Sequence, residues 1–436
     1  MKYSQFNTVL PYREKFALYN SFQQKVIVLE PELKDLLDAA KYEGIDNLEQ
    51  IHPDFYNYLI DQKFVIDGNL NEVLELKKLS EKIDNNPNMF YLTVNPTMNC
   101  NFKCWYCYET HIKDSKLDRG ILSSINKFVS NTVQKTEIKL FTLSFFGGEP
   151  LLYFKKDVIP IIDHCVKECE ANGTFLQISF TTNGFLINDE FINYFKKNNL
   201  YPSLQITFDG YGEEHDKVRF VNKSRGSYNQ IVSNIKKLLK HENFFVRARI
   251  NYTNDNITDC FKIVDDFEEL SNDVKKNRIL FDFHRVWQND KLDDISITLN
   301  ENAKKMQEKG FQTSVNYSPN NVLESCYADK RNSATINYNG DLFKCTARDF
   351  LPENRAGYLT EEGKLFWSEN YLEKRMSSKF KNKPCLSCKI MPLCNGGCSQ
   401  HAMEHIEKGE EYCVYHGDES EKDKVILTKI EEILNV

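Results

Sequence analysis

The chain has 436 residues, 41% hydrophobic and 27% charged. That balance belongs to a globular protein with room for more than one core and excludes wholesale disorder. Its 56 Lys and Arg against 63 Asp and Glu leave a net charge of −7, so no global positive field attracts a polyanion and nucleic acid is not expected as a partner. No apolar run reaches the roughly 18 residues of a membrane helix, and the opening MKYSQFNTVLPYREK has no apolar signal core. The expectations are a cytoplasmic location and no membrane partner.

Residues 1–89 read as a small unit of their own. Runs 16–20 and 25–29 are strand-like, helical patterns follow at 31 onward (Leu33, Leu36, Leu37) and over 53–61, and 63–66 is a short strand. This order suits a winged-helix-like module. A polar helix over 70–83 then leads to Asp84-Asn85-Asn86-Pro87-Asn88, the strongest linker signal in the chain. From 90 to about 312 strand-like runs at 91–96, 138–146, 175–182, 204–208, 245–251 and 279–286 alternate with helical patterns such as 122–133, 191–197 and 231–239. Six such alternations predict an α/β domain with a parallel sheet or partial barrel. In these folds function gathers at the C-terminal ends of strands. The corresponding loops read Thr97-Met98-Asn99-Cys100, Gly147-Gly148-Glu149-Pro150, Asn183-Gly184 and Asp209-Gly210. From 313 to 436 the alternation stops, and short strands and turns carry seven cysteines.

The chain holds 13 cysteines in clusters. A chain of this size in a reducing compartment needs no disulfide framework, so the clusters read first as metal ligation. Cys100, Cys104 and Cys107 form C-x3-C-x2-C. Three thiolates on one loop can hold three irons of a [4Fe-4S] cube and leave the fourth open, a Lewis-acidic site that a small molecule can chelate. A zinc site, which prefers four ligands and paired knuckles, or a disulfide is the alternative. Cys165 and Cys169, four apart on a predicted helix, and the isolated Cys260 read as buried small hydrophobes.

The triplet, Tyr106 before its last Cys, and Gly147-Gly148-Glu149-Pro150 after the second strand together resemble the radical S-adenosylmethionine (SAM) superfamily. The resemblance implies a partial (β/α)6 TIM-like barrel. It implies Cys100, Cys104 and Cys107 as cluster ligands, Gly147, Gly148 and Glu149 as the clamp on the SAM amino group, and Tyr106 beside adenine. The glycines suit close backbone approach to an ammonium, and a carboxylate offsets its charge. Asn183 and Asp209 stand at strand ends where ribose or carboxylate contacts are needed. Arg219 and Arg249 are carboxylate partners or structural ion pairs, and His284 and Arg285 face the cavity or pack in its wall.

Cys326, Cys345, Cys385, Cys388, Cys394, Cys398 and Cys413, with Asn339-Gly340 as a hairpin signal before Cys345, resemble the auxiliary-cluster (SPASM) extension of that superfamily. The resemblance assigns Cys385, Cys388, Cys394 and Cys413 to a distal cluster and Cys326, Cys345 and Cys398 to a proximal one. The segment from Asn320 to Ser325 lacks a further Cys, so the proximal cluster is expected to keep an open iron for a substrate thiolate, Glu324 or water. A zinc-binding domain is the alternative.

The implied cofactors are three [4Fe-4S] clusters and SAM. The implied reaction is reductive cleavage of SAM to a 5′-deoxyadenosyl radical that abstracts hydrogen from a ribosomally made precursor peptide, installing a thioether or C–C cross-link. The implied partners are that peptide with its leader, recognised by residues 1–89, and an electron donor such as flavodoxin or ferredoxin. Formylglycine formation on a sulfatase, or a non-peptide substrate, is the alternative. The sulfatase subfamily has an Asp where this chain has Thr346.

Overall fold

The computed structural model describes residues 1–222, 224–288, 295–315 and 321–434. Packing divides the chain into two compact units, Pro87–Tyr317 with Asn332–Glu369, and Met1–Asn86 with Ser318–Arg331 and Asn370–Val436.

The first unit is built on an 11-stranded sheet, whose strands are numbered here in chain order. Strands β1 (Met89–Asn95), β2 (Leu140–Phe145), β3 (Phe175–Thr182), β4 (Ser203–Phe208), β5 (Phe245–Tyr252) and β6 (Ile279–Arg285) pair in parallel with their sequence neighbours. Each predicted strand of the core is present. Strand β7 (Gln312–Ser314) extends the β6 side. No pairing among the described residues joins the two ends, so the sheet is open, as the expected α/β fold with a partial rather than closed barrel requires.

Most buried parallel strands are apolar throughout, but here they alternate. Phe141, Leu143 and Phe145 of β2 are buried, whereas Thr142 and Ser144 are not. Ile178 and Phe180 of β3 repeat the pattern with Gln177 and Ser179. The apolar face takes the helices. Arg119–Val133, whose N-terminus is capped by Asp118 accepting from the Ile121 N–H at 2.8 Å, buries Ile125, Phe128, Val129 and Val133. Ile159–Asn172, Asp189–Lys197 and Tyr228–Leu239 bury similar stripes, and Phe180 meets Phe145, Phe191 and Phe195 at ring distances of 5.0, 5.6 and 5.9 Å. The polar face is left to line a cavity.

The expected boundaries 1–89, 90–312 and 313–436 differ from this division. Strand β8 (Ser333–Asn337) lies parallel to β1, and β9 (Asp341–Phe343), β10 (Gly357–Leu359) and β11 (Leu365–Trp367) continue the sheet antiparallel. Ala334, Ile336, Leu342 and Leu359 share the core of the first unit. The physical reason is that β1 would otherwise be an unpaired sheet edge.

In the second unit Asn7–Tyr12, Lys15–Asn20 and Lys25–Leu29 form a three-stranded antiparallel meander. Strand Asn7–Tyr12 was not anticipated, since Pro11 marks it as an edge strand at best. The wing-like run at 63–66 shortens to Val65–Ile66 and pairs with Lys2–Tyr3. One side of the meander packs helices Pro31–Glu43 and Pro53–Asp61 through Leu18, Leu29, Leu37 and Leu59. On the other side Leu10, Ala17 and Tyr19 meet Ile390, Leu393, Ile426 and Ile430. Residues 1–86 therefore share a core with the C-terminal segment. The unit also buries Lys379 between Asp84 (2.6 Å) and Asp329 (2.9 Å), a charge set that is tolerable only because it is paired. Asn320, first residue of the segment before Cys326, lies outside the described residues. No helix among the described residues is long and apolar enough to cross a membrane.

Candidate active site

The loop after β1 is closed on itself by short-range hydrogen bonds. The Thr97 hydroxyl donates to the Ser115 carbonyl (2.6 Å), the Met98 N–H to Ser115 Oγ (2.8 Å), and the Ile112 N–H to the Met98 carbonyl (3.0 Å). Phe102, 1% exposed, anchors its middle against Phe185 at 5.6 Å. Cys100 and Cys104 are thereby half-buried and Cys107 exposed, all as free thiols. All three line one cavity. Burial pushes Cys100 up to about 12, with Glu149 adding to the effect, and Cys107 to about 11. Such thiols ionise only for a strongly positive partner. Among the described residues no three His, Cys, Asp or Glu side chains gather as a single-ion site. Soft donors spaced along a loop fit a multi-iron cluster better than one ion.

The turn after β2 locks into this loop. Gly148 has φ +49°, and a Cβ there would stand 2.2 Å from the Asn99 carbonyl oxygen; Gly147 has φ +78° and its Cβ would meet the Asn95 side chain at 2.7 Å. The Glu149 N–H donates to that same Asn99 carbonyl at 2.9 Å. Glu149 itself is fully buried and does not line the cavity. Its carboxylate accepts from the Leu151 N–H (3.0 Å), the Thr182 hydroxyl (2.8 Å) and the Asn183 N–H (2.7 Å). Burial raises its proton affinity and these three donors oppose that. Gly147 and Gly148 do line the cavity, as does Glu109, whose carboxylate accepts from the Gly148 N–H at 2.6 Å and is pushed up to about 7 by burial.

The cavity's remaining wall is the polar face of the sheet: Thr181 of β3, Gln205 and Thr207 of β4, Arg249 and Asn251 of β5, and Arg285 of β6. Asn183 also lines it, its amide donating to Asn101 Oδ1 at 2.8 Å. Tyr106 is a hub. Its hydroxyl donates to Asp209 (2.8 Å) and accepts from Arg219 (2.8 Å) and Asn251 (2.8 Å). Arg219 is ion-paired with Asp209, both largely buried, and Arg249 donates to Asn251 (2.8 Å). Asp209 therefore holds the hub from behind the wall and does not line the cavity. His284 is paired with Asp282 at 2.8 Å and takes no part in the cavity wall, whereas Arg285 lines it.

Sequence reasoning missed Glu109, Asn251, Gln288 and His215. Gln288 donates to the Tyr106 carbonyl at 2.8 Å. His215 is fully buried, with Nδ1 accepting from the Asp209 N–H (3.2 Å) and Nε2 against Ser227 Oγ (2.9 Å), so it acts as a neutral ring that positions Asp209. Glu109 had one available signal, its place two residues after the triplet. The others depend on folding to become neighbours.

In the second unit Cys385, Cys388, Cys394 and Cys413 line one small cavity with Tyr412 and Lys422. Burial, and then the other three sulfurs, raise Cys394 to about 12. Cys326 and Cys398 belong to the same unit, outside that cavity, and Cys345 belongs to the first unit, two residues after β9. Cys165, Cys169 and Cys260 are buried, as their patterning implied. Thr346 receives the Tyr108 hydroxyl on its carbonyl at 2.7 Å.

Gly148→Ala is expected to displace the Asn99 backbone and with it the cysteine loop. Iron bound after anaerobic reconstitution should fall well below wild type, whereas Gly173→Ala, at a similar φ with open space around it, should bind iron normally. The neutral His215 ring supplies a second test. Burial, with Arg219 adding, holds its pKa well below 6.5, while in the unfolded chain it titrates near 6.5. Its contribution is full above that value and is lost as pH falls below it. The urea midpoint is expected to drop between pH 7 and pH 5.5, and the drop should be shallower in His215→Phe; equal slopes would remove the ring from the account.

Residues 94–257 match the Radical SAM superfamily. The chain is similar to a cysteine-type anaerobic sulfatase-maturating enzyme of Clostridium novyi, 26% identical, with 71% of this chain and 88% of that protein covered. It is also similar to the radical SAM cyclopropyl synthase TigE of Paramaledivibacter caminithermalis, 23% identical over 90% of this chain and 88% of that protein. Among solved structures, native anSMEcpe with bound AdoMet shares the fold at a TM-score of 0.54 and 19% identity, over 71% of this chain and 89% of that one. Streptococcus suis SuiB bound to precursor peptide SuiA does so at 0.53 and 17%, over 94% and 97%. The cysteine loop, the glycine turn and the first five parallel strands all fall in or beside the matched region, so residues 94–257 form a Radical SAM domain, and the enzymes of that superfamily use SAM and a [4Fe-4S] cluster.

Proposed function

We propose that this enzyme modifies a ribosomally made precursor peptide, with SAM bound in the cavity against a cluster on Cys100, Cys104 and Cys107. The observation that carries the peptide reading is the extent of the likeness. Residues 1–86 are about a fifth of the chain, so relatives that cover 90% and 94% of it must include part of that segment. The two are a cyclopropyl synthase and a protein solved with its precursor peptide. The sulfatase-maturating relative covers 71%, and the Asp of that subfamily is Thr346 here. Formylglycine formation is therefore the weaker reading.

A reduced cluster held by Cys100, Cys104 and Cys107 would supply one electron to SAM bound in the cavity, radical chemistry that could reach an unactivated C–H bond. The chain's own residues hold and shield that chemistry. Gly147 and Gly148 let backbone approach an ammonium without a Cβ in the way. Tyr106, fixed through its hydroxyl by Asp209, Arg219 and Asn251, offers a ring face whose position is set before anything binds. Arg249 and Arg285 supply positive charge for a carboxylate. Trp287 stands against Tyr108, ring centroids 6.0 Å apart, and both line the cavity, where they limit water.

The Cys385, Cys388, Cys394 and Cys413 set is proposed to hold a distal [4Fe-4S] cluster, and Cys326, Cys345 and Cys398 to ligate a proximal one with an open iron. Strictly anaerobic reconstitution is then expected to give about twelve irons per chain; about four irons with bound zinc would leave only the radical core.

The meander of the second unit has two edge strands, Asn7–Tyr12 and Lys25–Leu29, of which the latter exposes Val28 at 42%. Such edges can take a leader as an added strand. Because residues 1–86 share a core with the C-terminal segment, truncation would unfold the unit and test nothing. Amide hydrogen exchange on the full chain is the better measurement. Adding a precursor peptide encoded beside the gene should slow exchange in one of the two edge strands and stimulate SAM cleavage; stimulation by a sulfatase peptide or a small metabolite alone would sink the peptide reading.

A further inference from the structure

Two carboxylates stand near the glycine turn, and they differ in what they have left to offer. Glu149 has three donors from its own chain on its two oxygens, is fully buried, and is absent from the cavity wall. A carboxylate satisfied in this way ties loops together; a ligand could reach it only by breaking those bonds. Glu109 is different. It lines the cavity, its Oε2 is held by the Gly148 N–H at 2.6 Å, and its Oε1 has no hydrogen bond among the described residues. It is the only carboxylate among the described residues that line the cavity, where the other fixed charges are Arg219, Arg249 and Arg285.

The placement separates charge along the sheet. Glu109 follows the β1 loop and is bonded to the turn after β2. Arg219, Arg249 and Arg285 come from the region of β4, from β5 and from β6. A carboxylate oxygen that faces the cavity with no donor from its own chain is open to a ligand, and an ammonium brings three donors with a compensating charge. We propose that Glu109, rather than Glu149, is the carboxylate that receives the α-ammonium group of SAM, while Glu149 is a positioning residue that keeps the glycine turn in place. This rests on the reading above that SAM occupies the cavity.

The test uses the anaerobically reconstituted full chain and measures equilibrium binding of SAM, of S-adenosylhomocysteine and of its analogue without the amino group. Glu109→Gln keeps an oxygen for the Gly148 N–H and removes the charge. Its SAM affinity is expected to fall by about ten-fold or more, with iron content and urea midpoint unchanged. The preference for the amino-bearing analogue over the amino-free one should collapse toward unity. Glu109→Asp, which keeps the charge, should retain most of that preference. Glu149→Gln should lower the urea midpoint yet keep the preference in the folded protein. Equal SAM binding by wild type and Glu109→Gln, or a preference lost in Glu149→Gln and kept in Glu109→Gln, would overturn the assignment while leaving the SAM reading intact. A wild-type protein that carries its iron and binds neither SAM nor S-adenosylhomocysteine would overturn both.

Discussion

A carboxylate with no solvent must be hydrogen-bonded on both oxygens, and Glu149 meets that demand by drawing three loops together. Its oxygens take the end of β3 through Thr182 and Asn183, and its own N–H takes the Asn99 carbonyl ahead of the cysteines. The same Asn99 carbonyl leaves no room for a side chain at position 148. The cysteine loop, the glycine turn and Asn183 are thus registered against one another by a single buried charge. Asn183 in turn reaches Asn101 inside the cysteine loop, which closes the circuit.

The second organising feature is a parallel sheet with one polar face. Helices cover the apolar face in the usual way, but Thr181, Gln205, Thr207, Arg249, Asn251 and Arg285 leave the opposite face polar and open to the cavity. Strand alternation converts position along a strand directly into position in the site. The hub at Tyr106 uses this, since Asn251 comes from β5 while Asp209 and Arg219 follow β4. A phenol held by three partners has little rotational freedom left.

The second unit shows why the chain's ends cannot be read apart. The N-terminal meander has helices on one face and residues near 390 and 430 on the other. A sheet buried on both sides loses its core if either cover is removed. The stability of the meander's surface is thus shared with the segment carrying the C-terminal cysteines, through common packing that includes Cys388 and Cys394.

What the sequence determined by itself was local. The C-x3-C-x2-C spacing, the Gly-Gly pair, the six strand alternations and the linker near 86 are each written within a few residues, and physical chemistry acts on them at that range. Tertiary structure alone decided the rest. The Glu of the glycine turn is buried while Glu109 faces the cavity, because donors from β3 capture one and not the other. Asp209 and Arg219 neutralise each other behind Tyr106, and His215 sits beneath them, through pairings that exist only once β4 and the segment following it have folded. Strand β8 joins β1 across more than 200 residues of chain, because a parallel sheet edge must be covered and nothing near β1 in sequence can do it. Contacts of that range depend on register and on competition among alternative partners, which no short stretch of sequence encodes.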